Sequence, residues 1–343
     1  MKDDVVSIVM VTCGVNDYFL SCLQTIALQT YAHVEIIVID NSLAAAVRAR
    51  VSFQYPSVKI ISASRNLMYC EALNQGIAQS RGEYVLCLND DVCLEPSFLS
   101  EALEGFKVSA RVGMVTGKIL RLDAKTVDST GMSLTLWRTP RERGYGEQDH
   151  GQFNCSGYVF AVNCAAALFR RKMLDDVREG GNWFDPDFRI FFEDIDISWR
   201  GQRRGWSAYY VAKAVAFHVR GGTVRQNNER VLPLARRYLN DELNILLLRN
   251  RYLVLIKNEA WWRLFICLIP VVGYDILAWG YVVIFRQRVF RGFWSDLSCF
   301  QRAWRQRLVG QRGCRQALGE HTISGKLPEE RMKNQSYCAR EKQ

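Results

Sequence analysis

The sequence predicts an α/β fold: a doubly wound, mostly parallel sheet with helices on both faces, followed by a helical, membrane-associated C-terminal segment. Three observations carry that expectation. Short, β-branched, almost wholly apolar runs alternate with stretches of helical spacing from residue 5 to residue 107. Several of the runs stop abruptly in Asp or Asn. A long apolar stretch, 264–285, lies late in the chain within its basic half.

Each element has its own warrant. Residues 5–11 (VVSIVMV) read as a strand buried on both faces of a parallel sheet. Residues 16–30 carry Tyr18, Phe19, Cys22, Leu23 and Ile26 at helical spacing. Residues 35–40 are a second strand ending in Asp40, 43–52 a helix, and 58–61 a third strand. Residues 69–80 place Ala72, Leu73, Gly76 and Ile77 on one side of a helix. Residues 83–88 are a fourth strand that runs into Asn89-Asp90-Asp91, and Pro96 suits the first turn of a helix over 96–107. The polar, glycine-bearing stretch 138–153 reads as a long functional loop. Residues 159–169, 207–211 and 213–219 read as strands, the last ending in His218-Val219-Arg220-Gly221-Gly222.

The totals bound the possibilities. The chain has 343 residues and a net charge of +10, unevenly spread. Residues 1–200 hold 20 basic against 25 acidic side chains; residues 201–343 hold 25 against 10. Such a basic half attracts phosphate, whether of nucleic acid, nucleotide or anionic lipid. The 11 cysteines are odd in number and form no C-x-x-C pair, so they read as core residues in a reducing compartment. The start, Met1-Lys2-Asp3-Asp4, has no basic n-region, and the apolar run after it is too short for a signal peptide. The first part of the chain is therefore expected in the cytosol. No G-x-G-x-x-G follows the first strand and no G-x-x-x-x-G-K-[ST] occurs, which disfavours a dinucleotide fold and a P-loop.

In doubly wound sheets ligands bind beyond the carboxyl ends of the strands. Thr12, Asp40 and Asn89-Asp90-Asp91 all fall there. Adjacent carboxylates repel, and a hard divalent cation removes that repulsion; a turn or helix cap is the plainer use of the same residues. A second acidic cluster, Glu193-Asp194-Ile195-Asp196, stands beside Phe191, Phe192 and Trp199. Desolvation by aromatic rings raises a carboxylate's proton affinity, as a general base requires. His218, at a strand end before Arg220-Gly221-Gly222, reads as a metal or phosphate contact or as a satisfied core histidine.

Five segments in order, SIVMVTC, VEIIVIDNS, SRNLMYCEALNQGIAQSRGEYVLCLNDDV, FEDIDISWRGQRRGW and AFHVRGG, resemble family 2 glycosyltransferases of the GT-A fold over about residues 5–225. RERGYGEQDHGQF resembles the bacterial subgroup that transfers rhamnose or galactofuranose to lipid-linked or cell-wall glycans. The resemblance implies an inverting, metal-dependent transfer from a nucleotide-sugar donor to a saccharide acceptor, lipid-linked in that subgroup. It implies that Thr12, Asp40, Arg65 and Asn66 hold the nucleotide, and that Asn89-Asp90-Asp91 stands in place of the D-x-D motif. Asp91 would be the main contact to Mn²⁺ or Mg²⁺, with His218 a further ligand. Asp194, with Glu193, would be the catalytic base. Two residues depart from the family pattern: Asn89 replaces an Asp, and Met68 replaces a Gly after Asn66-Leu67.

The second part reads differently. Residues 234–258 mix Leu with Arg and Lys as an amphipathic helix, and 264–285 is long enough to cross a bilayer. Asp275 near its middle and basic residues at both ends favour a helix lying in the membrane plane. The expected division is a catalytic domain over 1–228, a membrane-associated helical region over 229–300 and a basic tail over 301–343. The expected location is the cytoplasmic face of the plasma membrane, peripheral or monotopic. A chain cut near Arg230 is expected to keep donor binding. Two alternatives share some of these features. A metal-dependent nucleotidyltransferase needs no separate Glu193-Asp194 cluster. A basic nucleic-acid or membrane module without catalysis fits the charge, but nucleic acid does not call for an unbroken apolar run, and none is expected as a partner.

Overall fold

The computed structural model of the chain describes residues 4–43, 46–220 and 239–308. The first half alternates as expected: β1 (Val6–Thr12), α1 (Asp17–Ala27), β2 (Val34–Asp40), α2 (Ala46–Gln54), β3 (Val58–Ser62), α3 (Met68–Ala78) and β4 (Tyr84–Asn89). Helix α1 starts where the side chain of Asn16 accepts from the Phe19 N–H, and it buries Phe19, Cys22, Leu23 and Ile26. Strands β1 to β4 pair in parallel, in the order β4-β1-β2-β3.

The middle of the chain holds β5 (Val92–Leu94), α4 (Phe98–Glu104), β6 (Val112–Arg121), β7 (Val127–Ser129), β8 (Met132–Leu134), β9 (Pro140–Glu142), β10 (Gly157–Val159), β11 (Ala166–Arg170), α5 (Arg171–Asp176), α6 (Glu193–Arg203) and β12 (Ser207–His218). The sheet runs β10-β12-β6-β11-β4-β1-β2-β3. Strand β11 is antiparallel to both β4 and β6, and β10 is antiparallel to β12. Several expectations need correction. Pro96 precedes α4 rather than sitting in its first turn. The stretch 159–169 is two strands, β10 and β11, because the backbone between them turns back through Asn163 to Ala165. The stretches 207–211 and 213–219 are one strand, β12, with a register shift between Val211 and Val215. The loop 138–153 contains β9, paired to β8.

Alternation along β1 divides the core. Val6, Ile8 and Met10 join Phe19, Leu23, Val47 and Phe98 on one face. Val9 joins Leu73 and Ile77 of α3 on the other, together with the apolar residues of α5 and α6. Gly76 allows α3 to lie against β1, since a Cβ there would stand 2.3 Å from Val9 Cγ1.

The C-terminal part is α7 (Asp241–Asn258), α8 (Trp261–Ile266), α9 (Leu268–Phe285), α10 (Gln287–Phe293) and a helix over 298–308. The expected boundary at 228/229 and most of the expected tail lie outside the described residues. Helix α7 is not an amphipathic surface helix with a basic outer face. Arg249, Arg251 and Lys257 are buried. Lys257 Nζ lies 2.7 Å from Asp185 and 3.2 Å from Asp196, and the Asn258 amide donates to Asp196 at 2.8 Å. Asp196 also accepts from Arg200 at 2.8 Å. This buried cluster binds α7 to α6, so a chain cut near Arg230 would strip charged partners from the protein interior. Removing one member of a buried ion cluster costs about 3–5 kcal/mol. Lys257→Met should therefore lower unfolding free energy by about 3 kcal/mol in urea denaturation; a loss below about 1 kcal/mol would place the cluster among ordinary surface pairs.

Candidate functional site

Sheet register gathers the site. Thr12 pairs with Asp40 across β1 and β2, and Val11 pairs with Asn89 across β1 and β4. Three carboxyl ends thus stand side by side. Asp40 is 1% exposed; its Oδ1 accepts from the Ser42 N–H and hydroxyl, while Oδ2 has no partner among the described residues. A buried orphan acceptor of this kind suits an N–H of a ligand. Beside it, the Asn41 amide donates to Asn66 Oδ1 at 2.9 Å and accepts from the Leu67 N–H at 2.8 Å. Asn66 Oδ1 also accepts from the Met68 N–H. This clasp shapes the loop before α3, where Met68 adopts φ +55°. The left-handed region explains why a glycine suits this position; Met there costs about 1–2 kcal/mol. Arg65 is exposed at the lip and paired with Glu71 at 2.5 Å. Thr12 is buried, and its hydroxyl bonds the Gly14 carbonyl and supports Asp90. Burial pushes the Asp90 carboxyl above its ordinary range. Asn89 turns its amide oxygen toward the Tyr69 hydroxyl, 2.9 Å away, a role that needs no charge.

Asp91 meets His218 because β5 pairs with the end of β12: Val92 opposes His218, and the Val219 N–H donates to the Asp91 carbonyl. His218 Nε2 is 3.2 Å from Asp91 Oδ1, and Nδ1 is 2.9 Å from Asp128 Oδ2. Asp128 is fully buried on β7 and is paired with Arg220 at 2.5 Å. Burial alone would depress the imidazole, but its bonds to Asp128 and Asp91 outweigh that and push it up to about 9. Burial would likewise raise Asp128, yet His218 and Arg220 hold it below the usual carboxylate range.

As it stands His218 holds a proton against Asp91; with that proton displaced, the pair has the spacing a divalent cation needs. Two ligands at right angles, each about 2.1 Å from an octahedral cation, lie about 3.0 Å apart, close to the observed Asp91–His218 separation. A carboxylate on the other ring nitrogen orients a metal-binding histidine. Among the described residues no cluster of three or more metal-binding side chains occurs.

Glu193 and Asp194 begin α6. Burial raises both carboxyls well above their ordinary range, and for Asp194 the neighbouring Glu193 charge raises it further. Glu193 is buried, with Oε2 unpartnered among the described residues, while Asp194 is half-buried, with Oδ1 accepting from the Ile195 N–H. The third acid of the cluster, Asp196, belongs to the ion cluster with Lys257; despite burial, Arg200 and Lys257 hold it below the ordinary range. Before α6 the chain takes left-handed conformations at Arg189 (φ +59°), Phe191 (+71°) and Phe192 (+69°). None is glycine, so each costs on the order of 1–3 kcal/mol.

The structure therefore brings Thr12, Asp40, Asn89, Asp90, Asp91 and His218 to one edge of the sheet, with Asn66 and Arg65 in the loop beside it. The Cys164 N–H supports Asp194, and the next residue's carbonyl accepts from the Asn89 N–H, so Asp194 joins the same edge. Sequence reading missed Asp128, Asn41 and Glu142. Glu142 Oε1 accepts from the Asn163 amide at 2.6 Å and Oε2 from the Ser129 hydroxyl. Asn41 and Glu142 lie inside the resembling segments VEIIVIDNS and RERGYGEQDHGQF but were given no role there, and the only signal for Asp128 was a polar residue between short apolar runs.

The family model for Glycosyl transferase family 2 matches residues 7–178. The chain is 24% identical over 284 residues to an N-acetylglucosaminyl-diphospho-decaprenol L-rhamnosyltransferase of Mycobacterium tuberculosis, covering 76% of this chain and 87% of that one. It is 24% identical over 190 residues to a poly-beta-1,6-N-acetyl-D-glucosamine synthase of Staphylococcus epidermidis, covering 54% of this chain and 43% of that one. Among solved structures, GalNAc-T7 with UDP, GalNAc and Mn²⁺ superposes with a TM-score of 0.58 at 12% identity, over 90% of this chain and 55% of that chain. The mannosyltransferase PcManGT of Pyrobaculum calidifontis, in complex with GDP-Man and Mn²⁺, gives a TM-score of 0.50 at 15% identity, over 97% of this chain and 79% of that one. At such identities the structural likeness speaks for the fold.

Burial pushes Glu142 up to about 7. Its folded form holds a proton that the unfolded chain has released, so its contribution to stability falls as pH rises from its ordinary 4.5 through about 7. Glu142→Gln should flatten that fall in a pH series of thermal melts; an unchanged slope would show that Glu142 does not carry it.

Proposed function

Because the chain belongs to glycosyl transferase family 2, we propose that it moves a sugar from a nucleoside diphosphate donor to a polyprenyl-diphosphate-linked saccharide. This reading places it in the assembly of a bacterial cell-surface glycan. The observation that carries the reading is the division of carboxylates along one crevice. Asp91 faces a histidine poised for a cation, whereas Glu193 and Asp194 have no basic side chain against them among the described residues. The first arrangement suits a diphosphate, the second a proton.

The nucleoside sits at the ends of β1 and β2, where Asp40 Oδ2 accepts from the base and the Asn41–Asn66 clasp shapes the wall. Asp91 and His218 would hold a divalent cation, Mn²⁺ or Mg²⁺, with Asp128 fixing the ring through its bond to Nδ1 and Asp90 alongside. When bound, the cation neutralises charge that develops on the departing diphosphate. Asp194 takes the proton from the acceptor hydroxyl as its oxygen bonds to the anomeric carbon. The bond from that carbon to the diphosphate oxygen breaks, and one displacement inverts the anomeric configuration. Proton affinity near neutrality suits Asp194 to the task, because a base works best near the operating pH. Support for the acceptor class comes from the mycobacterial relative's substrate name and from the exposed helices α8 and α9.

Helix α9 is long and apolar enough to cross a membrane by length and composition, and Ile269, Ile276, Ile284 and Phe285 are exposed. Its Asp275 is tied to Arg251 at 2.6 Å, and Arg251 also bonds the Trp137 carbonyl. A helix pinned at its middle to the catalytic layer favours lying along the cytoplasmic leaflet over crossing it.

Three measurements test this reading. Among UDP, dTDP and GDP, one should raise the melting temperature in Mn²⁺ or Mg²⁺ by mass action, and EDTA or Asp91→Ala should abolish the shift. Asp194→Asn should lower turnover by at least about 10²-fold while that shift persists; loss of the shift would make Asp194 a donor or metal ligand. The intact protein should float with anionic liposomes and be partly released by high salt; a protein that ignores liposomes has α9 packed on a partner instead.

A further inference from the structure

We propose that Asn250, in the middle of α7, is a positioning residue that holds the left-handed turn before α6 and so aims Asp194. The proposal rests on the reading of Asp194 as the base. Asn250 is fully buried. Its amide nitrogen stands 2.7 Å from the Phe188 carbonyl, 2.9 Å from that of Ile190 and 2.9 Å from that of Phe191. Its oxygen accepts from the Arg249 guanidinium at 3.2 and 3.3 Å. Three carbonyls on one side and a cation on the other fix which end of the amide is nitrogen.

The turn it grips is the strained one. Arg189, Phe191 and Phe192 are left-handed without being glycine, and such conformations persist only where the surroundings over-determine them. Phe192 is the residue from which α6 departs, and Glu193 and Asp194 follow at once. The Arg189 carbonyl, in the same turn, accepts from the Tyr69 and Cys70 N–H groups at 3.0 and 2.9 Å, at the start of α3. Tyr69 in turn bonds Asn89, next to Asp90 and Asp91. One turn therefore joins the base, the loop beside the nucleotide and the strand end at the cation site. Asn250 is the side chain that closes it from behind, and it lies beyond the matched residues 7–178. Lys257, two helical turns on, fixes the same helix to Asp185 and Asp196.

The test uses the full chain, and its binding probe is whichever of UDP, dTDP and GDP gives the largest thermal shift with Mn²⁺. Turnover is release of that diphosphate from its sugar-linked form, with N-acetylglucosaminyl-diphospho-decaprenol in mixed micelles as acceptor. Asn250→Ala should lower kcat about 10²-fold, the scale of a 1 Å misplacement, with probe affinity changed less than about 3-fold and the rising limb of the kcat–pH profile displaced. Arg189→Gly removes one left-handed Cβ at an exposed position, so Asn250→Ala with Arg189→Gly should recover part of the lost kcat. A kcat loss that only follows the unfolded fraction in thermal melts overturns the proposal, as does an unmoved pH profile. If Asp194→Asn loses turnover and Asn250→Ala does not, this inference fails and the base assignment stands. If Asp194→Asn keeps turnover, both fail.

Discussion

Mutual repulsion of carboxylates collected at one edge of a sheet is the constraint around which this molecule is organised. Parallel register alone brings Asp40, Asp90 and Asp91 to that edge, and the later strands add Asp128 and Glu142. Each acid must be hydrogen-bonded, paired, protonated or left for a ligand. His218 and Arg220 settle Asp128; Arg200, Lys257 and Asn258 settle Asp196. Among the described residues Glu193 and Asp194 receive no basic partner, and burial displaces them toward the protonated form. Chemical roles follow from this sorting more than from which acids are present, since Asp194 and Asp196 are two residues apart and end in opposite states.

Helix α7 joins what the sequence separates. Its buried side gives Asn250 to the turn before α6 and Lys257 and Asn258 to α6 itself. Arg251, on the same helix, ties α9. The apolar surface of α9 is thereby fixed relative to Asp194 by a short series of contacts. An acceptor whose lipid lies along α9 would present its sugar at a set height above the leaflet. That gain is in effective concentration and orientation rather than in contact energy.

The strands β1 to β4 and the acids at their ends were legible because buried parallel strands are short, branched and apolar, and a polar residue closing one is conspicuous. Strand β6 is as deeply buried, yet Gly113, Gly117 and Lys118 interrupt its run. Lys118 is neutralised by Asp149 at 2.8 Å, a partner no local pattern reveals. Asp128 was hidden for the same reason, in a polar stretch whose cations arrive from β12. Helix α7 misled because alternation of Leu with Arg looks the same whether the charges face lipid or buried acids. The Met68 departure was legible as an exception, and its positive φ gives the physical reason for the glycine it replaces.

The place of β12 in the sheet has a consequence for biosynthesis. It enters between β10 and β6, although β6 leaves the ribosome long before it. Until β12 arrives, one side of β6 is an open edge, able to pair with the same edge of another nascent chain. At about 5–20 residues per second that interval lasts seconds. A charge at Lys118, in the second half of β6, would oppose such pairing, because an inward-pointing charge discourages edge-to-edge aggregation. The lysine that obscures the strand in the sequence would thus work in its favour on the way to the fold.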